Sequence, residues 1–319
     1  MNLQRRFFLQ MGAAALFASA CNRGTQPPDQ SITAASNGVK RVNHAFGETE
    51  VPANPTRVIA LGYTTIEAVV AHGVQPIGVP SGVIDELRHL SLDQETMSEI
   101  GAPNQPNLEK MTALKREMII TCKYRIGDGY EPLAQIAPTV VLDIDGNAEW
   151  KELTRLCGEA LGKPTATEAL TATYAAKVQQ VKDQLSPKAT QPQVSIVSIF
   201  PGQIGASGTE TFAGSVLADA GIARPPSQAQ AEGPQNVSLE SLDLLDGDVM
   251  FIMTLQGDTE MAKGSRAESD RIKSHPLWSR LKAVQTDQVY EVGSYWAIGS
   301  YIAANLILDD LLEHFVKRQ

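Results

Sequence analysis

The fold class predicted by this sequence is α/β: two Rossmann-like lobes with central parallel sheets, joined by a single long α-helix. Three observations predict it. Short apolar runs alternate with helical patterns in both halves of the chain, as sheets with helices on their faces require. One long amphipathic stretch, Pro164 to Leu185, lies between the halves. The halves also match in letters. Asn107-Leu108-Glu109 with Met111, Leu114, Glu117 and Met118 lines up without gaps on Ser238-Leu239-Glu240 with Leu242, Leu245, Asp248 and Val249, and Gly73-Val74 corresponds to Gly221-Ile222.

Taken in order, the first 21 residues read as an export signal rather than as part of the fold. Arg5-Arg6-Phe7-Phe8-Leu9-Gln10 resembles a twin-arginine signal, and the apolar run Met11 to Ala20 is far too short to span a membrane as a helix. Ala18-Ser19-Ala20-Cys21 resembles a bacterial lipobox, in which small residues admit the peptidase and Cys21 takes the lipid; an ordinary cleaved signal is the alternative. Residues 22–40, rich in Pro, Ser, Thr, Gln and Gly, suit a flexible tether. The expected location is the periplasm or the extracytoplasmic face of a membrane, with a lipid anchor.

The N-terminal lobe is expected over residues 41–145. Arg57 to Leu61, Pro76 to Pro80, Met118 to Cys122 and Thr139 to Asp143 read as strands. Thr64 to His72, Asp85 to Ile100, Asn107 to Leu114 and Tyr130 to Ile136 read as helices, the second of them polar and superficial. Residues 146–188 form the connection. Trp150, Leu153, Leu156 and Ala160 mark its first helix, which Gly162 closes. Pro164 suits a first helical turn, Thr165 and Glu168 can form a capping box, and Pro187 stops the run. Leu170, Tyr174, Val178, Val181 and Leu185 share one face of a rod about 33 Å long. The C-terminal lobe, 189–319, repeats the plan. Its strands are Val194 to Phe200, Asp248 to Met253 and Val289 to Val292; its helices are Phe212 to Ala220, Ser238 to Leu245, Leu277 to Leu281 and Tyr301 to Phe315.

The 319 residues can build two cores, and 43% hydrophobic with 20% charged residues is ordinary for a globular protein. A formal charge of −9 argues against a nucleic-acid surface. The histidines at 44, 72, 89, 275 and 314 show no ligand spacing, which argues against a bare-metal site. There is no Gly-x-Ser-x-Gly elbow, His-Glu-x-x-His or phosphate loop, so no enzyme is indicated. Cys122 and Cys157 remain after processing; two buried thiols are favoured over a disulfide.

Several stretches, in this order and spacing, carry a resemblance: Pro106-Asn107-Leu108-Glu109 with Ala113-Leu114-Lys115, Leu133 to Val140, Pro276-Leu277-Trp278 with Leu281 to Val284, Asp287 to Val292 running into Tyr295-Trp296, and Ala303 to Leu306. From about Val42 to Phe315 the chain resembles the substrate-binding proteins of iron-siderophore ABC importers, the helical-backbone (class III) periplasmic binding proteins. The resemblance implies a monomeric, lipid-anchored receptor that carries a ferric siderophore or ferric citrate-like chelate to a permease, whose ATPase supplies the energy. It implies no catalysis, no cofactor and only a small rocking closure about the inter-lobe helix.

Iron in such a cargo is already coordinated, so the protein should offer cations, hydroxyls and aromatic faces rather than metal ligands. Lys123, Tyr124 and Arg125 stand just past one strand, and Arg125 falls where related proteins carry a ligand-binding arginine. Tyr63 follows another strand in the same topological place, and Tyr295 and Trp296 match the family's aromatic pocket wall. Glu131 and Glu240 match its two permease-docking glutamates. Thr211 and Leu255 stand where catecholate binders place further arginines, which favours a hydroxamate, citrate-like or other hydroxyl-rich ferric chelate. Haem or cobalamin is the rival ligand, with Tyr63 or Tyr295 as an axial group for haem.

Overall fold

The chain enters the fold through a three-stranded antiparallel sheet: β1 (Thr33–Ala34), β2 (Val39–His44) and β3 (Gly47–Pro52). The structure, a computed structural model, describes residues 33–34, 38–90, 92–185 and 191–316. The export signal 1–21 with Cys21, most of the 22–40 tether and Pro187 lie outside the described residues. The tether is nevertheless shorter than expected, because Thr33–Ala34 pairs with Arg41 and Lys40, and β2 begins at Val39. The inward positions of β2 are Lys40, Val42 and His44, so two polar residues hid the alternation of a strand. Lys40 is only 6% exposed, and its Nζ donates to the Ala53 and Glu159 carbonyls at 3.0 and 2.8 Å.

The first lobe is built on β4 (Val58–Ala60), β5 (Gly78–Val79), β6 (Ser98–Glu99), β9 (Met118–Cys122) and β10 (Thr139–Leu142), all parallel. A small antiparallel ladder, β7 (Gly101–Ala102) and β8 (Gln105–Pro106), interrupts the run. Its helices are α1 (Tyr63–Ala71), α2 (Val83–Glu86), α3 (Leu108–Ala113), α4 (Lys123–Ile126) and α5 (Tyr130–Ala134). The helix expected over Asp85 to Ile100 is not there. Leu87, Leu90 and Ile100 are buried, and Ser98–Glu99 pairs with Gly78–Val79 as an edge strand, so the segment folds back onto the sheet. Both sheet faces are covered: Met118, Ile120 and Cys122 pack into one core, and Ile119 joins Met111 and Leu133 in another.

The connection is α6 (Trp150–Leu161) followed by α7 (Pro164–Gln184). Gly162 ends α6 at φ +73°, and a Cβ there would lie 2.1 Å from the Ala53 carbonyl oxygen. Pro164 occupies the first turn as expected, but no side chain caps α7, so Thr165 and Glu168 form no capping box. Thr167 instead reaches His72 Nε2 at 2.8 Å, tying the start of α7 to the first lobe. Leu153, Leu156, Cys157, Ala160 and Leu161 of α6 lie in the first-lobe core, whereas Tyr174, Val178 and Val181 of α7 lie in the second-lobe core.

The second lobe contains β11 (Val194–Phe200), β12 (Gln203–Ala206), β13 (Gln235–Asn236), β14 (Val249–Thr254) and β15 (Val289–Val292). Its helices are α8 (Phe212–Asp219), α9 (Pro226–Ala229), α10 (Glu260–Lys273), α11 (Lys282–Gln285) and α12 (Tyr301–Asp310). Helix α10 escaped the sequence pattern because it buries mainly small or polar residues, Ala262, Ser265, Glu268 and Ser269, with Ile272 as its single large apolar contact. The stretch Ser238 to Leu245 is a kinked 3₁₀ element, broken at Ser241 (φ −117°, ψ +29°), rather than a regular helix.

The two sheets have the same spatial order. Counted within each lobe's five-stranded sheet, strands lie third, second, first, fourth, fifth: β6-β5-β4-β9-β10 and β13-β12-β11-β14-β15. They differ in direction, because β12 turns straight back on β11 through Gly202 (φ +69°), making one edge of the second sheet antiparallel. The matching letters mark matching geometry. Gly73 and Gly221 both terminate helices at positive φ (+70° and +74°), and Val74 and Ile222 donate back to Val69 and Leu217 carbonyls at 3.2 and 3.0 Å.

Candidate functional site

In a doubly wound sheet the strand order reverses beside the first strand, and the chain leaves adjacent strand ends in opposite directions, opening a crevice there. In the first lobe that point lies between β4 and β9. The residues just beyond these strands are Gly62-Tyr63 and Arg125. In the second lobe it lies between β11 and β14, whose ends carry Phe200 and Leu255. Tyr63, Arg125, Phe200 and Leu255 all line one inter-lobe cavity of about 390 Å³, together with Ser81, Glu86, Thr259, Met261 and Ser294. A second cavity of about 610 Å³ continues within the first lobe beside Leu61, Asn104, Gln105, Leu108, Thr121 and Asp128, and Tyr63 and Arg125 line it as well. The two switch points therefore face one another, with Tyr63 and Arg125 at the junction of the chambers.

Each position has a local cause. Gly62 precedes α1 at φ +91°, a conformation that L side chains rarely adopt, and a Cβ there would touch Arg125 Cγ at 3.5 Å. Arg125 lies with its guanidinium carbon 5.1 Å from the Tyr124 ring centroid, a cation–π platform. Among the described residues no carboxylate forms an ion pair with Arg125. The first turn of α1 has no side-chain cap, and its positive dipole end begins at Gly62, beside the arginine. The corresponding α8 is closed to a guest, because Thr211 caps it by accepting from the Gly214 amide at 3.1 Å. Burial raises the Tyr63 phenol above its ordinary pKa; the Glu86 carboxylate adds to the shift, and Arg125 opposes it.

Comparison with known proteins places this architecture. Residues 58–295 match the family described as periplasmic binding protein. The relative named "Probable siderophore-binding lipoprotein YfiY" of Bacillus subtilis is 31% identical over 317 residues, covering 95% of each chain. The achromobactin-binding periplasmic protein of Dickeya dadantii is 30% identical, covering 81% of this chain and 85% of that one. Staphylococcus aureus SirA complexed with staphyloferrin B superimposes with a TM-score of 0.72 at 26% identity, covering 86% of this chain and 97% of that chain. The chain belongs to the periplasmic binding protein family.

Of the side chains singled out from sequence in this periplasmic binding protein, Tyr63 and Arg125 meet at the cleft, and the others have different employment. Lys123 turns outward to Asp143 and Asp145 at 3.1 and 3.0 Å. The Tyr124 hydroxyl donates to Asn147 Oδ1 at 2.5 Å, which orients the ring beneath Arg125. Tyr295 and Trp296 line neither cavity. Both donate to Asp310 Oδ2, at 2.6 and 2.7 Å, and Trp296 is 3% exposed and stacked on Phe251 at 4.7 Å. The pocket-wall expectation for Trp296 is thus corrected: its indole completes the second-lobe core. Leu255 lines the cleft, whereas Thr211 is occupied as a helix cap.

Glu131 and Glu240 are both exposed, one on each lobe. Cys122 and Cys157 are buried free thiols, and burial raises both above the ordinary thiol range. No group of three or more His, Cys, Asp or Glu able to hold a metal occurs among the described residues. Sequence reading missed Glu86, Phe200, Thr259, Met261 and Ser294 as lining residues. The strand-end rule that selected Tyr63 would have selected Phe200 too, had it been applied to β11.

Proposed function

We propose that this periplasmic binding protein captures a ferric siderophore or ferric citrate-like chelate between its lobes and hands it to an ABC permease. The observation that carries this reading is Arg125: an arginine at the junction of two cavities, beside a helix N-terminus that no side chain caps, and without an ion-pairing carboxylate among the described residues. Such a site suits an anionic, oxygen-rich complex whose metal needs no ligand from the protein. The names of the relatives and of the SirA complex support the same cargo class. Glu131 and Glu240, exposed on separate lobes, would meet permease arginines and fix the register of docking. The permease's ATPase supplies the energy, the receptor acts as a monomer without catalysis, and Cys21 supplies the lipid anchor behind a twin-arginine-type signal. A haem ligand is less well served, because Tyr295 is held by Asp310, and burial with Glu86 disfavours the phenolate that Tyr63 would need.

Isothermal titration with ferric citrate, a ferric hydroxamate and a ferric catecholate tests the reading. The first two should bind more tightly, and Arg125→Ala should weaken them at least tenfold, about 1.4 kcal/mol. An unchanged dissociation constant would remove Arg125 from the site. A haem titration that shifts the Soret band, with no response to any ferric chelate, would replace the cargo.

A further inference from the structure

We propose that Glu86 gives the cleft a negative pole, so that the preferred chelate carries an ammonium arm beside its anionic iron-binding oxygens. The inference rests on the ferric-chelate reading and narrows it.

Among the described residues, two charged ones line the inter-lobe cavity, Arg125 and Glu86, and both belong to the first lobe. The second lobe faces them with apolar side chains, Phe200, Leu255 and Met261, and with the hydroxyls of Thr259 and Ser294. The lining therefore sums to zero charge, with its two poles on one wall. Glu86 is half-buried, and its Oε2 is shielded from solvent yet has no hydrogen-bond partner. Nearby groups leave that oxygen unserved. Arg88 donates to Asp85 at 3.0 Å, and the Ser294 hydroxyl donates to the Glu86 backbone carbonyl at 2.8 Å.

An unserved buried acceptor costs free energy until a donor arrives, and a charged donor repays most. Burial also raises the Glu86 carboxyl above its ordinary pKa; the Ser294 hydroxyl and the Arg88 guanidinium oppose the shift, and the Asp85 carboxylate adds to it. A uniformly anionic complex would meet Arg125 favourably but be repelled by Glu86. A chelate with anionic oxygens at one end and an ammonium at the other would satisfy both poles at once, and discrimination arises as much from the repulsion as from the attraction.

The probe pair is ferric desferrioxamine B, a trihydroxamate complex with one free terminal amine, and the same complex with that amine acetylated. Calorimetry at pH 7 should show the wild type favouring the free amine by roughly tenfold. Glu86→Gln, which keeps the shape and removes the charge, should reduce that preference below about twofold and tighten ferric citrate. Glu86→Asp should retain most of the preference, and thermal melts establish that each variant is folded. Equal binding of the two complexes by the wild type would overturn the inference, as would a preference that survives Glu86→Gln. Either result leaves the ferric-chelate reading standing. Failure of the wild type to bind any of the three ferric complexes would overturn that reading and the inference with it.

Discussion

Gly62, at a backbone angle of +91°, lies directly beside Arg125. The space around it would admit a methyl group, since the nearest atom to a built Cβ is 3.5 Å away, but the conformation would not. Gly62→Ala should therefore cost on the order of 1–3 kcal/mol, and chelate affinity should fall as the turn beside the arginine shifts. Urea denaturation and calorimetry would measure the two losses; full stability with full affinity would show that the turn is not under this constraint. At this scale the sequence was readable beside the switch point, where Tyr63 and Arg125 each stand three residues past the adjacent strands β4 and β9; Tyr295 has the same offset from the edge strand β15 and lines neither cavity. It was misleading at Trp296, four residues beyond β15, where the chain turns the indole back to Asp310 of α12. It was silent at Glu86, whose inward position depends on a segment folding over the sheet and not on local pattern.

Elements are held in register by acids that the repeat makes equivalent. Glu117, before β9, accepts from the Thr56 and Arg57 amides at 2.7 and 3.0 Å and so fixes the start of β4. Asp248, before β14, accepts from the Gln193 amide at 2.6 Å and fixes the start of β11. The amides of Arg57 and Thr56 lower the pKa of Glu117. At Asp248 burial pushes the other way, but Lys282 and the Gln193 amide together outweigh it.

A carboxylate whose folded-state pKa is depressed contributes stability above its unfolded pKa and loses it as pH falls through the folded one. Glu117→Gln should accordingly be less stable than the wild type at pH 7, with the difference closing as pH falls below about 4.5, the unfolded value for Glu. Thermal melts from pH 7 to pH 3 would check it, and a difference that does not vary with pH would discount the clamp. Most strands and the long rod were legible because apolar side chains mark their faces. β2 and α10 were not, because Lys40 and His44 occupy inward strand positions and α10 buries mainly alanine, serines and a glutamate.

At the scale of the whole molecule, Trp150 pins one lobe to the other. It begins α6, whose remaining apolar residues belong to the first lobe, yet its ring sits in the second-lobe core. There it meets Tyr174, Phe212 and Tyr301 edge-on, at centroid distances of 5.3, 5.4 and 4.9 Å, and its Nε1 donates to Ser215 at 3.0 Å. The Ser300 hydroxyl, at the start of α12, bonds the buried Glu67 carboxylate of α1. The described residues accordingly form one compact unit, and the protein should melt in a single calorimetric transition. Trp150→Ala should cost about 3–5 kcal/mol and broaden or split that transition. Two resolved transitions in the wild type would mean that the lobes fold independently.

Among the described residues both charges of the inter-lobe cavity stand on one wall, and the opposite wall is mostly apolar. A guest would thus be moored to one half of the protein and merely roofed by the other. Lifting the roof would not by itself cast off the moorings. Dissolved ions loosen such moorings without touching the roof. Escape of a charged chelate should therefore quicken with ionic strength, while that of a neutral one should scarcely change, a contrast that stopped-flow dissociation in graded sodium chloride would expose.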